Sequence, residues 1–332
     1  MHWEIGSEFW DVPINKNRNH LFQESTQWFL SGRSALQAII KELQGCHTVA
    51  MPSWCCDSMI KPFVDAGFDI HFYPVYWQDM LVQEISMDSD VLFIMNYFGY
   101  STIIPNLSEY KGIIIRDETH SIFTSTYSDA DYYFGSLRKW CGVWTGGYAR
   151  TRDGHGLVEG KMSDCHYIAL RRKAMQQKSE YLNGSRTDKD YLNLFADAEK
   201  ILENRGVLKA AERDVQLAYS LDSEKIISQR RANAKILRLA FSKWLIFPDM
   251  QYFDCPIFVP VFVPEGKRDS LRRYLIQNEI YCPVHWPVSK YHRLEDRTEI
   301  IYQNELSLVC DQRYIEKDMN RIVKIVKEFM EK

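Results

Sequence analysis

Short apolar runs typical of β-strands alternate with helix-like runs over the first two thirds of this 332-residue chain. SGRSALQAIIKELQG carries Leu36, Ile39, Ile40 and Leu43 at helical spacing, and Gly45 ends it. Strand-like runs follow in HTVAMP, DVLFIM, GIIIRD and ADYYFGS. This alternation is typical of α/β architecture. We therefore expect an α/β fold.

The character of the sequence changes past Phe247. Residues 160–245 are largely helix-like, whereas CPIFVPVFV is strand-like with prolines suited to an edge strand. KRDSLRRYLIQNEI predicts a helix, IYCPVHWPV an extended segment, and the C-terminus a last helix. These patterns predict a large domain over 1–240 and a small α+β domain over 241–332. Residues 1–25 are expected to pack on the small domain.

Composition narrows the class of protein. Hydrophobic residues make up 45% and aromatic residues 14% of the chain, enough for a sizeable core. The net charge is −3 and the basic clusters are short and mixed with acids, so nucleic acid is not an expected partner. No run approaches the roughly 18 apolar residues of a membrane span, and no signal peptide is evident. We expect a cytoplasmic protein.

The eight cysteines do not form paired C-x-x-C units. Cys282 and His285 have the spacing of half a zinc site, but no second half follows. We therefore expect free thiols and no bound metal.

Two strand-like runs lead to residues with a shared chemical use. GIIIRD ends in Asp117, and ADYYFGS leads through Ser136 to Lys139, with a pair of glycines beyond. Pyridoxal phosphate (PLP) requires a lysine that binds its aldehyde covalently and a carboxylate that pairs with its pyridinium nitrogen. A strand-terminal aspartate also fits a metal site or a ribose contact. His120 and Lys139, both downstream of Asp117, favour PLP.

The cofactor's phosphate and ring suggest further candidates. Free N–H groups at a helix N-terminus hold phosphate well, and SGRS places Arg33 and Ser34 at such a start. A simple N-cap would explain the same residues. Ser136, three residues before the lysine, could add a hydroxyl.

Other candidate side chains follow strands or extended segments. Trp54 could stack on the ring or be a half-buried core aromatic. Asn96 could bind the ring hydroxyl or end a strand as a turn residue. His120 could orient the carboxylate. His285 and Trp286 could touch substrate or pack between the domains.

In their order and spacing, SGRSAL, PSWCC, NYFG, RDETH and SLRKW with TGG resemble the motifs of the DegT/DnrJ/EryC1/StrS family of PLP-dependent sugar aminotransferases. The resemblance covers most of residues 25–150 and is weaker in the C-terminal part of the chain. It implies the aspartate-aminotransferase fold (PLP fold type I), with a mixed seven-stranded sheet in the large domain and a small C-terminal domain. It also implies a homodimer with active sites at the interface.

The resemblance also implies roles for individual residues. Lys139 would bind PLP and shuttle protons, and Asp117 would pair with the pyridine nitrogen. The other cofactor contacts that it implies are Trp54 on the ring, the backbone N–H groups of Arg33 and Ser34 with Ser136 on the phosphate, and His120 near the ring hydroxyl. The chain departs from the family at Phe134, where relatives commonly carry serine, and in its shorter length. Partner-subunit residues are not clearly found, and Asn183 and Arg186 are candidates.

The expected activity is transfer of an amino group from glutamate or glutamine to a carbonyl acceptor such as a nucleotide-linked keto-sugar. Candidate substrate residues are His285, Trp286 and Arg186. One alternative is a PLP-dependent lyase or dehydratase of the same fold. Family dehydratases tend to carry histidine in place of the lysine, so Lys139 favours transamination. Another alternative is a non-catalytic homologue with a binding or regulatory role.

Overall fold

The computed structural model describes residues 4–17, 19–124, 129–203 and 205–331. The strands of this described part are β1 (Ile5–Gly6), β2 (Gln27–Phe29), β3 (Thr48–Pro52), β4 (Asp69–Tyr73), β5 (Val75–Gln78), β6 (Met80–Gln83), β7 (Val91–Met95), β8 (Ile113–Asp117), β9 (Tyr132–Ser136), β10 (Gly147–Thr151), β11 (Phe258–Phe262), β12 (Ile280–Tyr281) and β13 (Glu305–Val309). Its α-helices are α1 (Gly32–Ile40), α2 (Asp57–Asp65), α3 (Cys165–Asn183), α4 (Tyr191–Leu202), α5 (Glu212–Tyr219), α6 (Ser223–Ala240), α7 (Arg268–Gln277), α8 (Asp296–Asn304) and α9 (Glu316–Met330). None of these helices is both long and apolar enough to cross a membrane.

A seven-stranded mixed sheet is built from strands that lie between Gln27 and Thr151, in the order β2-β10-β9-β8-β7-β3-β4. Strands β4, β3, β7, β8 and β9 run parallel to one another, β10 pairs antiparallel with β9, and β2 pairs antiparallel with β10 at the edge. Every residue of β7 is buried, as expected for a strand covered on both faces. The sheet confirms the predicted α/β fold with a mixed seven-stranded sheet.

The first helix begins as its sequence predicts. Ser31 is the N-cap of α1, and its Oγ accepts a hydrogen bond from the Ser34 N–H at 3.2 Å. The apolar face of α1 packs on the main core with Ile39 and Leu36 fully buried. The helix ends at Ile40, five residues before Gly45.

A second hydrophobic core lies around the C-terminal elements. Strand β11 pairs antiparallel with β13, and Leu237 of α6 packs beside them. Ile5 belongs to this core and pairs in parallel with Ile280. Two separate cores agree with a two-domain division, whose boundary at residue 240 stays a prediction. Neither β13 nor the α8 helix before it is among the predicted elements.

Candidate active site

Asp117 and Lys139 leave the sheet at the same edge. Strands β8 and β9 are parallel neighbours in which Asp117 lies opposite Phe134. A short 3-10 helix, Leu137–Lys139, follows β9 directly. Carboxyl ends of parallel strands form the ligand crevice of open α/β sheets, so both side chains reach one crevice.

The Lys139 amine is unpaired: it makes no hydrogen bond or ion pair with any residue in the described ranges. Its charge nevertheless acts on several groups around it. It opposes the effect of burial on the pKa of Asp117, and it adds to the lowering of the pKa of His120 and His285 by burial. The lysine is therefore central to this group of residues.

Asp117 is a buried carboxyl, 2% exposed, at the end of β8. Its Oδ1 accepts a hydrogen bond from the Thr119 N–H at 2.7 Å. Burial raises the pKa of Asp117 to about 6, and the hydrogen bonds from Thr119 and the charge of Lys139 partly oppose this. A buried carboxylate of this kind favours a cationic partner.

The N-terminus of α1 lies beside Ser136. A Cβ at Gly32 would be 3.4 Å from the Ser136 Cβ. The backbone N–H groups of Gly32 and Arg33 have no partner within the described part, nor does the Ser136 hydroxyl. These three donors can bind one anion.

Ser34, predicted to bind phosphate, is occupied elsewhere. Its N–H donates to the Ser31 cap and its Oγ donates to the Gly206 carbonyl at 3.1 Å. The available second N–H at this helix start is that of Gly32, which is not among the residues predicted to bind phosphate. The closeness of Gly32 to Ser136 arises from the fold, since the two residues are far apart in sequence.

His120 is buried in an aromatic cluster next to the crevice. Its ring stacks on Trp286 with centroids 5.6 Å apart and lies 5.6 Å from the ring of His285. The Nδ1 of His120 is buried without a hydrogen-bond partner. Burial, followed by the charge of Lys139, lowers the pKa of His120 to about 3, so the imidazole is neutral.

Trp54 has the environment of a core aromatic. It is fully buried, its ring stacks on Tyr97 at 5.0 Å, and its Nε1 donates to the His285 carbonyl at 2.8 Å. Two residues on, Cys56 is partly exposed at the N-cap of α2. Burial raises the pKa of Cys56 and its hydrogen bond with Ser58 lowers it, while the charge of Lys139 lowers it further and that of Asp117 raises it. The thiol, which the sequence analysis passed over, is thus the side chain of PSWCC that responds to both.

Two further candidates are engaged within the protein. The Asn96 Oδ1 accepts from Arg116 at 2.7 Å, and its Nδ2 donates to the Ser121 Oγ at 3.0 Å. Arg186 forms an ion pair with Asp188 at 2.8 Å and does not line the cavity described below. The predicted ligand roles of both residues therefore stay predictions.

A cavity of about 440 Å³ opens beside Lys139 between the two cores and the N-terminal segment. Its charged lining residues are Glu8, Arg138, Lys139, Arg230, Arg272, Asp311 and Arg313. His285 also lines this cavity. Five cationic and two anionic side chains make the lining basic, a property suited to an acidic ligand.

Comparison with solved structures identifies the class of fold. No protein-family model matches this chain, and no curated protein matches it in sequence. The fold is that of PLP fold type I aminotransferases, as the resemblance of its motifs predicts.

Three solved structures illustrate the likeness. The putative sugar aminotransferase Spr1654 from Streptococcus pneumoniae is 12% identical with a TM-score of 0.64, over 96% of this chain and 92% of that one. PseC from Helicobacter pylori, an aminotransferase involved in pseudoaminic acid biosynthesis, is 12% identical with a TM-score of 0.63, over 97% and 99%. A DegT DnrJ EryC1 StrS aminotransferase from Brucella abortus is 13% identical with a TM-score of 0.58, over 92% and 85%. At identities this low, the structural likeness establishes the fold alone.

Proposed function

We propose that this chain is a cytoplasmic, PLP-dependent aminotransferase that moves an amino group from an amino acid to a small carbonyl compound. The observation that carries the proposal is the unpaired Lys139 amine, which is close enough to the buried carboxyl of Asp117 for its charge to lower the pKa of that carboxyl. Spr1654, which has the same fold, is known in both a PLP form and a PMP form.

The residues of the crevice fit PLP. The Lys139 amine is available for the aldehyde, and Asp117 is available for the ring nitrogen. Donors at Gly32, Arg33 and Ser136 would hold the phosphate, because none of them has a partner within the described residues. Because Gly32 has no side chain, its backbone can approach the Ser136 side chain closely.

Bound PLP supplies an electron sink for the carbon that loses its proton. Asp117 keeps the ring nitrogen protonated by pairing its carboxylate with it. Lys139 accepts the proton from the Cα of the amino donor at its Nζ and later returns a proton to the product. His120, which is neutral and close enough to feel the charge of Lys139, has an unpaired, buried Nδ1.

The basic cavity supports an acidic amino donor such as glutamate. Arg230 is completely buried, forms no ion pair within the described part, and leaves its Nη2 without a hydrogen-bond partner. A buried guanidinium without a carboxylate partner is costly unless a ligand supplies one. We therefore propose Arg230 as a contact for the donor carboxylate, with His285 and Trp286 near the acceptor. The acceptor would be a keto-sugar, for which a nucleotide-linked form is one candidate.

We also propose a homodimer in which Arg186 of one copy approaches the active site of the other. This arrangement would use a side chain that does not line the cavity of its own copy. Light scattering tests the assembly, and Arg186→Ala tests the contribution. A lyase of the same fold stays an alternative, as does a non-catalytic binding protein.

The half-reaction tests the activity directly. PLP-loaded protein mixed with glutamate or glutamine should lose its visible absorption band and release one keto acid per site. Lys139→Ala should release none, whereas Lys111→Ala, a change at an exposed lysine, should behave as the parent. Elimination of ammonia without a PMP form would support the lyase, and no reaction with any amino acid would support a binding role.

A further inference from the structure

A chain of hydrogen bonds runs from the small domain to the cavity. Glu305 and Ser307 lie two residues apart on β13 and so project from the same face. The Ser307 Oγ lies 2.5 Å from the Glu305 Oε1 and 2.8 Å from the His285 Nδ1. The other carboxyl oxygen, Oε2, accepts the backbone N–H of His285 at 2.7 Å. Carboxyl, hydroxyl and imidazole therefore form one continuous chain.

This chain is shielded from water at its inner end. Glu305 and Ser307 are fully buried, and His285 is 6% exposed. No lysine or arginine forms an ion pair with Glu305 within the described part of the protein. Burial raises the pKa of Glu305 to about 8, and the hydrogen bonds from Ser307 and His285 oppose this only partly. The carboxyl can therefore hold or release a proton near neutral pH.

The outer end of the chain faces the cavity. His285 lines that cavity together with Lys139. Its Nδ1 is engaged by Ser307, while its Nε2 makes no hydrogen bond within the described ranges. Burial, then the charges of His120 and Lys139, lower the pKa of His285 well below its usual range. Near neutral pH the His285 imidazole is therefore neutral, and the imidazolium form is not present to act as an acid.

We propose that Glu305, Ser307 and His285 form a proton relay that lets the neutral His285 give up and regain a proton at Nε2. In the protonated state Glu305 donates to Ser307, Ser307 donates to Nδ1, and Nε2 carries hydrogen. When the Nε2 proton leaves, the Ser307 proton moves to Nδ1 and the Glu305 proton moves to Ser307. One proton is lost in total, and the negative charge resides on Glu305.

The relay gives His285 a role in the proposed amino transfer, and this role rests on the proposed function. An acceptor carbonyl oxygen must leave as water during amino transfer, and it needs a proton to do so. His285 Nε2 can supply that proton because the charge is stored on Glu305. Glu305 and Ser307 are positioning residues, since neither lines the cavity.

The charged and titratable groups around the relay are few. Arg268 of α7 acts on Glu305 and donates to its backbone carbonyl at 3.0 Å. Cys282, which follows β12, has a pKa that burial raises and Glu305 raises further. His120 and Lys139 face His285 from the large domain. The pH response of the relay can be separated from these groups because, among the described residues, only Glu305 and Ser307 bond to the His285 ring or backbone N–H.

Nitrogen-15 NMR of the histidines in the cofactor-free full chain tests the relay without any reaction. The His285 signals are assigned by comparison with His285→Gln. From pH 6.5 to 9.5, Nε2 should change from the protonated to the unprotonated chemical-shift range, with a midpoint near 8, as Nδ1 changes in the opposite sense. Glu305→Gln should keep Nε2 protonated throughout, whereas Glu299→Gln, at an exposed carboxylate, should behave as the parent.

Ser307→Ala provides a second variant that keeps the carboxyl and breaks the chain. In that protein the His285 tautomer should no longer follow pH. A His285 tautomer that stays constant over this range in the parent, or still switches in Ser307→Ala, overturns the proposal. A constant tautomer in a protein that still catalyses amino transfer refutes the relay alone, and a normal switch in a protein without that activity refutes the proposed function alone.

Discussion

Gly32 and Ser136 lie against each other where α1 begins, with a Cβ at position 32 falling 3.4 Å from the Ser136 Cβ. This contact places the start of α1, where the N–H groups of Gly32 and Arg33 are unpaired, beside the Ser136 side chain at the proposed phosphate position. Helix and strand belong to segments a hundred residues apart, so their meeting is a property of the sheet order β2-β10-β9.

Gly32→Ala should weaken PLP binding while leaving the fold intact. The added methyl makes an ordinary contact with Ser136, and alanine is favoured over glycine in helices by about 1 kcal/mol, so the melting temperature should not fall. The same methyl takes up space beside the proposed phosphate donors, so the PLP dissociation constant should rise about tenfold or more, by roughly 1.4 kcal/mol. Fluorescence titration with PLP measures this. Gly156→Ala is the control and should bind normally, because its added Cβ makes only an ordinary contact, 3.9 Å from the Gln27 Oε1.

Ser136→Ala and Ser34→Ala should have opposite effects. The Ser136 hydroxyl has no partner in the described part, so its loss should leave stability unchanged and raise the PLP dissociation constant about fivefold to tenfold. Ser34 donates to the Gly206 carbonyl, so its loss should cost about 1 kcal/mol of stability with little effect on PLP. Urea unfolding and PLP titration of both variants separate the two roles. Equal loss of PLP affinity in both would contradict this assignment.

Asp117→Asn should stabilise the cofactor-free protein while impairing its chemistry. Burial raises the pKa of Asp117 from 3.8 to about 6, so the folded chain binds its proton more tightly and loses stability as pH rises between those values. Well above pH 6, this difference in pKa lowers the free energy of unfolding by about 3 kcal/mol. The gain in unfolding free energy of Asp117→Asn over the parent, measured with urea, should therefore be larger at pH 7.5 than at pH 5, by about 1.4 kcal/mol. Exposed Asp249→Asn should show no such trend. A variant less stable than the parent at both pH values would contradict the account.

PLP should protect Cys56 from alkylation. The thiol is partly exposed and lies close enough to Lys139 and Asp117 for both to affect its pKa. Adding PLP should slow its reaction with N-ethylmaleimide about fivefold or more at pH 8.5, as read by peptide mass spectrometry. Cys165 is exposed and serves as the reference thiol in the same sample. If PLP leaves the alkylation rate of Cys56 unchanged, Cys56 does not belong to the PLP site.

The parts of the fold that could be predicted are those with strong local signals. The runs that became β7, β8 and β9 are buried and apolar, and α1 has a serine cap and a helical apolar face. Strand β13 lacked such a signal because α8 ends at Asn304 and the strand begins at Glu305, with no turn residue between them. The β5–β6 hairpin turns at Asp79, which has a positive φ of 60°, where a glycine would have been easier to recognise.

The residues of the candidate site that could be predicted are those at the ends of neighbouring strands. Asp117, Ser136 and Lys139 come from neighbouring strands, so sequence alone could bring them together. Spacing could not decide between Trp54 and Cys56, because which side chain faces the crevice depends on how the chain turns after β3. The contact of His285 with Glu305 and Ser307 depends on the pairing of the small domain, which no local pattern reports.

The most direct test is the covalent attachment of PLP to Lys139. Purified protein incubated with PLP should show a visible absorption band, and reduction with borohydride followed by digestion should place the pyridoxyl group on the peptide that contains Lys139. Lys139→Ala, folded by circular dichroism, should lack both the band and the labelled peptide. A folded parent protein that gives no band with PLP, or that carries the label on another lysine, would contradict the central claim.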